Sequence, residues 1–142
     1  MSAPTPPRLF TPAEANAALP RVRPVVSALR RAVAEVREAS PAVQAFAARA
    51  AETGGTQPTA DERMARSRYR AGEEAAGQAL DELQTLGVLV KDAARGLVDF
   101  PSLRDGEVVE LCWLDGEPAV EHWHRVGEGF AGRRPLQDPD AP

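Results

Sequence analysis

Hydrophobic residues in the first half of the chain recur every three or four positions, which is typical of an amphipathic helix. The longest stripe alternates steps of three and four, the spacing of a coiled-coil seam. It consists of Leu19, Val22, Val26, Leu29, Val33 and Val36. Thr11 and Glu14 form a predicted capping box before it. Pro20 and Pro24 predict a break or a bend, and we expect a short helix over 12–19 and a long one from about residue 20.

A second helical segment follows a glycine turn at 54–55 and begins with a capping box, Thr59 to Glu62. Gly87 is placed to end it. Its apolar face is rich in small residues and comprises Tyr69, Gly72, Ala76, Ala79 or Leu80, Leu83 and Leu86. Because small residues let two helices approach closely, residues 12–86 are predicted to form an antiparallel helical hairpin.

From residue 88 the apolar positions form short runs separated by turn residues, which is typical of strands. Four strands are predicted, at 88–91, 97–100, 108–114 and 119–124. Pro101 is expected to end the second strand, since proline cannot donate a ladder hydrogen bond. Asp115-Gly116 is a strong signal for a hairpin turn between the last two strands.

Together these patterns predict an α+β fold in a single domain, 1–142. The N-terminal antiparallel helical hairpin (12–86) packs on a small C-terminal antiparallel β-sheet. The β-rich segment, 88–133, holds both Trp, both His and the only Cys, so any chemistry is expected there. Residues 1–9 and 134–142 contain several prolines and are expected to be disordered tails.

Composition narrows the classes of function. A net charge of −4 argues against a nucleic-acid partner. Because the chain has one Cys, an intramolecular disulfide and a Cys₄ or Cys₂His₂ zinc site within one chain are excluded. No run approaches 18 apolar residues, and the first ten lack the apolar stretch of a secretory signal. We therefore expect a reduced, cytoplasmic protein without a membrane partner.

Four residues of the β-rich segment are candidate metal ligands. His122 and His124 are two apart on one predicted strand, about 6.5–7 Å at Cα, within reach of one ion. A bare His-x-His pair is more often structural, and a site needs at least one further ligand. Asp99 lies inside an apolar run, and Glu117 is either a ligand or a turn residue before a proline.

The length of the predicted hairpin loop decides which residues share a face. An even-numbered loop at Asp115-Gly116 places His122 and His124 on one face and Cys112 on the other. A three-residue loop would instead place Cys112 on the same face as His122 and His124. On the even-numbered loop, Cys112 is interpreted as a small buried hydrophobic residue outside the metal site.

Two other motifs lead to different conclusions. Glu121-x-x-His124 is half of a di-iron carboxylate motif, but the chain has no second copy, so a di-iron bundle is rejected. The glycine pattern of 127–132 matches a dinucleotide-binding fingerprint, yet only ten residues follow it, too few for the required helix. Gly129, Gly132 and Arg133 are still a candidate site for an anion or carboxylate.

A set of short motifs resembles the bacterial domain of unknown function 2203 family. The motifs are Phe10-Thr11, Glu14-Ala15-Asn16, Val90-Lys91-Asp92, Gly96 to Pro101, Leu111-Cys112-Trp113, Gly116-Glu117, Trp123-His124 and Gly129 to Arg133. The resemblance covers nearly the whole chain and implies no known activity. It implies that Asp99, Glu117, His124 and Arg133 belong to the family pattern. His122 lies outside that pattern, which favours His124 as the ligand.

Two hypotheses of function follow. The first is a polar pocket where the sheet meets the helices, in which His124, Asp99, Glu117 and His122 bind a divalent transition metal. The sequence does not indicate whether that metal catalyses a reaction. The alternative is a non-enzymatic interaction module, whose helical stripe forms a homo-oligomer or pairs with a partner.

Overall fold

The computed structural model describes residues 8–137. Two long helices come first, α1 (Pro12–Thr53) and α2 (Ala60–Leu86), and they pack against each other as a hairpin. Five strands follow: β1 (Leu89–Asp92), β2 (Leu97–Arg104), β3 (Glu107–Leu114), β4 (His122–Arg125) and β5 (Arg134–Pro135). They form one antiparallel sheet in chain order. The predicted α+β fold is therefore confirmed, with one strand more than expected.

α1 is one continuous helix, so the predicted break near residue 20 is wrong. The capping box is present: the Thr11 hydroxyl accepts from the Glu14 N–H, and the Glu14 carboxylate accepts from the Thr11 N–H. Pro20 and Pro24 lie on the exposed side of the helix. The carbonyl groups that lose a partner there are on the solvent side, while the opposite side stays packed, and the helix continues through both prolines.

The α1 stripe forms the centre of the core over its first half. Its members from Leu19 to Leu29 are at most 3% exposed, whereas Val33 and Val36 are only partly buried. Gly72 of α2 lies against this helix, and a β-carbon there would be 2.8 Å from Cγ2 of Val36. The small residue on α2 thus permits the close approach that the sequence predicts.

One face of the sheet packs on the base of the hairpin. The ring of Phe10, just before α1, meets that of Phe100 edge-on, with 5.2 Å between their centroids. β2 runs through Pro101, which was predicted to end it. The Phe10 N–H donates to the Pro101 carbonyl at 2.7 Å, so the Pro101 peptide groups point away from β3. Its missing N–H therefore breaks no bond between β2 and β3. The sheet residues in this core are Val98, Phe100, Leu111 and Trp113, with Val120 from the loop before β4.

Asn16 of α1 fixes the chain between β3 and β4. Its side-chain amide accepts from the Val120 N–H at 2.8 Å and donates to the Val120 carbonyl at 3.2 Å. Because the helix binds this peptide, β4 begins at His122 rather than at Ala119, and Cys112 pairs directly with His122. The predicted even-numbered loop is wrong. The number of residues between the paired Cys112 and His122 is odd, which places Cys112 on the same face of the sheet as His122 and His124.

The chain does not leave the fold at residue 134. β5 pairs with β4, and Leu136 is 8% exposed, with its N–H donating to the Glu121 carbonyl at 2.7 Å. The predicted C-terminal tail is therefore wrong for residues 134–136, because Leu136 is apolar and joins the core. Most of the two predicted tails, residues 1–7 and 138–142, lies outside the described residues.

Candidate metal centre

Polar side chains alternate with core residues along β2 and β3, so they lie on the face of the sheet that points away from the helices. Asp99 stands between two core residues of β2, and Cys112 stands between two core residues of β3. The register pairs Asp99 with Cys112, and Glu110 with His124 of β4. The sequence placed the pocket where the sheet meets the helices. That location is wrong, since strand alternation puts these residues on the opposite face.

Asp99 and His124 form a side-chain hydrogen bond, and each residue is 1% exposed. Nε2 of His124 lies 3.0 Å from Oδ2 of Asp99. On the other side of the ring, Nδ1 lies 2.8 Å from the Arg125 carbonyl oxygen. A carbonyl only accepts, so Nδ1 carries a hydrogen and donates it. With a hydrogen on Nδ1, the 3.0 Å contact between Nε2 and Oδ2 needs one further proton, which either atom can hold.

The carboxyl group of Asp99 is poorly stabilised in its charged form. Burial raises the pKa of Asp99. The charge of the neighbouring His124 lowers that pKa, but by less than burial raises it. The second oxygen, Oδ1, is buried and makes no hydrogen bond within residues 8–137. A carboxylate in these surroundings gains from an added proton or from a nearby cation.

Cys112 is the third member of this cluster. It is fully buried, and one donor atom from each of Cys112, Asp99 and His124 lies within 4.8 Å of the other two. Burial, followed by the charge of Asp99, raises the pKa of the thiol to about 12. The prediction that strand parity separates Cys112 from His124 is wrong, because Asn16 imposes the odd spacing described above.

A cavity of about 240 Å³ opens beside the cluster. Glu110, which is 4% exposed, lines its wall, and Oε2 of Glu110 lies 3.1 Å from Nζ of Lys91. The rest of the lining is Leu97, Asp99, His124, Gly127, Gly129 and Phe130. The cavity is thus lined by Asp99 and His124 of the cluster, by one ion pair and by apolar residues, whereas Cys112 lies outside its lining.

Glu117 and His122, the other two predicted ligands, lie together at Arg133 instead. Oε1 of Glu117 accepts from the Leu114 N–H at 2.7 Å, and Oε2 accepts from Nη2 of Arg133 at 2.7 Å. The same guanidinium nitrogen contacts Nδ1 of His122. Glu117 therefore holds the turn, which the sequence left open as its alternative role. The four predicted ligands divide into two pairs, and only Asp99 and His124 join Cys112.

The polar groups of the predicted anion site are only partly engaged, since Nε of Arg133 is buried and makes no hydrogen bond within residues 8–137. In the short 3₁₀ turn Phe130–Gly132, the Gly132 N–H donates to the Gly129 carbonyl at 3.1 Å. The Arg133 guanidinium binds Glu117 and lies over the Phe130 ring, 4.6 Å from its centroid. The carboxylate that Arg133 holds is the chain's own.

Sequence reasoning missed Cys112, Glu110 and Lys91 as neighbours of the site. The signal was present in the alternation of β3, where Glu110 and Cys112 are interleaved with apolar residues. Those apolar residues are Val109, Leu111 and Trp113. Assigning them to the core places Glu110 and Cys112 on the other face, where Asp99 also falls by the alternation of β2.

Comparison with known proteins supports a family assignment without a function. The model of the family described as "Uncharacterized conserved protein (DUF2203)" matches residues 8–136. No curated protein and no solved structure matches the chain. Within residues 8–137, no helix has both the length and the apolar character that crossing a membrane requires.

Proposed function

This chain belongs to the DUF2203 family of uncharacterised conserved proteins, and we propose that it binds a divalent transition metal ion through Asp99, Cys112 and His124. One observation carries the proposal. Three buried side chains bring an oxygen, a sulfur and a nitrogen donor within 4.8 Å of one another. Oδ1 of Asp99 is buried and has no hydrogen-bond partner within residues 8–137, which also favours a cation at this cluster.

The spacing of the donors suits an ion of the size of Zn²⁺. Bonds of about 2.0–2.3 Å put the donors of a tetrahedral site about 3.3–3.8 Å apart. The present 3.0 Å between Asp99 and His124 lies just below that range, and the outer limit of 4.8 Å lies about 1 Å above it.

The chemistry of the donors selects the class of metal. Thiolate and imidazole favour Zn²⁺ and neighbouring transition metals, whereas Mg²⁺ and Ca²⁺ favour oxygen ligands throughout. The hydrogen bond from Nδ1 of His124 to the Arg125 carbonyl fixes the tautomer that coordination through Nε2 needs.

A divalent ion also balances the buried charge. With Cys112 as a thiolate, Asp99 as a carboxylate and His124 neutral, the ligands carry two negative charges. Glu110 and Lys91 form a neutral pair beside them. A site without net charge is the favourable arrangement in a poorly solvated interior, where an uncompensated charge is costly.

Three protein ligands leave one position of a tetrahedral ion open, a pattern found in catalytic rather than structural zinc sites. The cavity of about 240 Å³ lies beside the ligands. A water molecule or a small ligand can therefore complete the coordination.

Metal content of purified variants tests the proposal. After Zn²⁺ loading and dialysis against a weak chelator, wild type is expected to keep one ion per chain. Asp99→Asn, Cys112→Ser and His124→Gln are expected to lose it. His122→Ala is the matched control and is expected to keep it, because His122 contacts Arg133 instead. A metal-free wild type, or a Cys112→Ser variant that retains its metal, contradicts the proposal.

A further inference from the structure

The distal half of the helical hairpin has no sheet beneath it. At 1.5 Å per residue, the 42 residues of α1 extend about 63 Å. The α1 residues buried in the core shared with the sheet end at Leu29. Beyond them, Ala32 and Ala39 are the buried residues of α1 within the described chain, and Ala32 lies against Gly72 of α2. Two helices alone cannot bury all of their apolar surface.

A groove of about 410 Å³ follows one side of this hairpin. Val33 and Val36 of α1 line it from one side, and Leu80 of α2 lines it from the other. Leu80 is 42% exposed, because Ala79, at 5%, takes the buried position of the two that the sequence left open. Ala76 and Gly77 form the rest of its floor. The groove is thus an apolar surface that the described chain does not cover.

Two opposite charges line the same groove. Arg37 on α1 and Glu73 on α2 are both exposed, and neither forms an ion pair or a side-chain hydrogen bond within residues 8–137. Their neighbours behave differently, since Arg68 binds both Glu35 and Glu38 at 2.9 Å.

We propose that a second copy of this chain packs on this groove in a twofold-symmetric dimer. A twofold interface uses the same patch on both copies, so the patch must complement itself. A twofold axis between Arg37 and Glu73 brings each residue against its opposite in the partner copy. The interface then contains two equivalent ion pairs flanked by the apolar residues of both grooves. This inference is independent of the proposed metal site.

Exchange of the two charges provides the test, with sedimentation equilibrium as the readout. Wild type is expected to be a dimer at tens of micromolar. Arg37→Glu and Glu73→Arg each place like charges together and are expected to weaken dimerisation about tenfold or more. The double variant restores complementary pairs and is expected to recover most of the lost affinity. All of these positions are exposed, so folding is expected to be unaffected.

Leu80→Asp tests the apolar part of the interface and is expected to give a monomer. Met64→Asp is its control, because Met64 is 65% exposed and lies outside the groove. A monomeric wild type overturns the inference and leaves the groove to a different partner. A double charge variant as weak as the single variants overturns it as well, since the effect would then not arise from pairing.

Discussion

Asp99 and Cys112 stand directly opposite each other across β2 and β3. Directly paired residues of an antiparallel sheet share a face, with Cβ atoms about 4.5–5.5 Å apart. A carboxylate and a thiol are therefore enclosed together in a place with little water, and His124 lies on the adjoining strand. Burial and the charge of Asp99 raise the pKa of the Cys112 thiol, so ionising the thiol beside a charged Asp99 is costly. A shared cation removes that cost, which is the physical basis of the proposed metal site.

Replacement of Leu29 tests the core of the hairpin. Leu29 is 1% exposed, so Leu29→Asp places a charge among apolar residues and is expected to cost several kcal/mol of unfolding free energy. Glu35→Ala on the same helix removes only an exposed ion pair with Arg68 and is expected to cost within about 0.5 kcal/mol. Denaturant titrations giving equal, small losses for both variants would show that the stripe is not in the core.

Asn16 is expected to be a key residue for the position of β4. Asn16→Ala leaves the N–H and C=O of the fully buried Val120 without their partners, and the expected loss is about 1–3 kcal/mol. Asn16→Asp keeps the acceptor for the Val120 N–H but loses the donor, so an intermediate loss is expected. Gln44→Ala removes an exposed side chain whose one side-chain hydrogen bond within residues 8–137 is to Ser40, and it provides the control. Urea titrations in which Asn16→Ala matches Gln44→Ala would refute this role.

Acid is expected to weaken the distal end of the hairpin through Glu62. Hydrogen bonds from Arg49 first, and then from the Thr59 N–H, lower the pKa of Glu62 from 4.5 to about 2. Above pH 4.5 the carboxylate is ionised in both the folded and unfolded chain, so its contribution is complete. Between pH 4.5 and about 2 the unfolded chain takes up the proton first, and this contribution falls as the pH falls.

Glu62→Gln removes the titrating group and isolates its effect. The variant is expected to be less stable at pH 7, where the bidentate pair with Arg49 is intact in wild type. Its stability should decline less steeply than that of wild type between pH 4.5 and 2. Thermal unfolding of wild type and variant across that range measures how the stability of each depends on pH. Parallel plots of stability against pH would exclude a contribution from Glu62.

Local signals in the sequence were sufficient for the helices and the fold class. The α1 stripe and both capping boxes depend on residues within a turn or two of one another, and both capping boxes form. The exception is the continuity of α1 through Pro20 and Pro24. It depends on which side of the helix is packed, and that is decided by the rest of the molecule.

The site was only partly predictable because it depends on a contact between distant segments. Asp99 and His124 could be chosen from their chemistry and their place in the β-rich segment. Whether Cys112 shares their face depends on the spacing between β3 and β4, which the Asn16 side chain sets from α1, 104 positions earlier than Val120. No sequence pattern within the β3–β4 hairpin itself indicates this spacing.

Titration with Co²⁺ tests the central claim most directly, because the spectrum reports the ligands as well as the binding. A cobalt–thiolate bond gives a charge-transfer band in the near ultraviolet, and tetrahedral geometry gives intense bands in the visible. Wild type is expected to develop both and to saturate at one ion per chain. Cys112→Ser should lose the charge-transfer band, whereas His122→Ala should retain it. A wild-type spectrum identical to that of free Co²⁺, or a charge-transfer band that survives in Cys112→Ser, would contradict a metal site built on Asp99, Cys112 and His124.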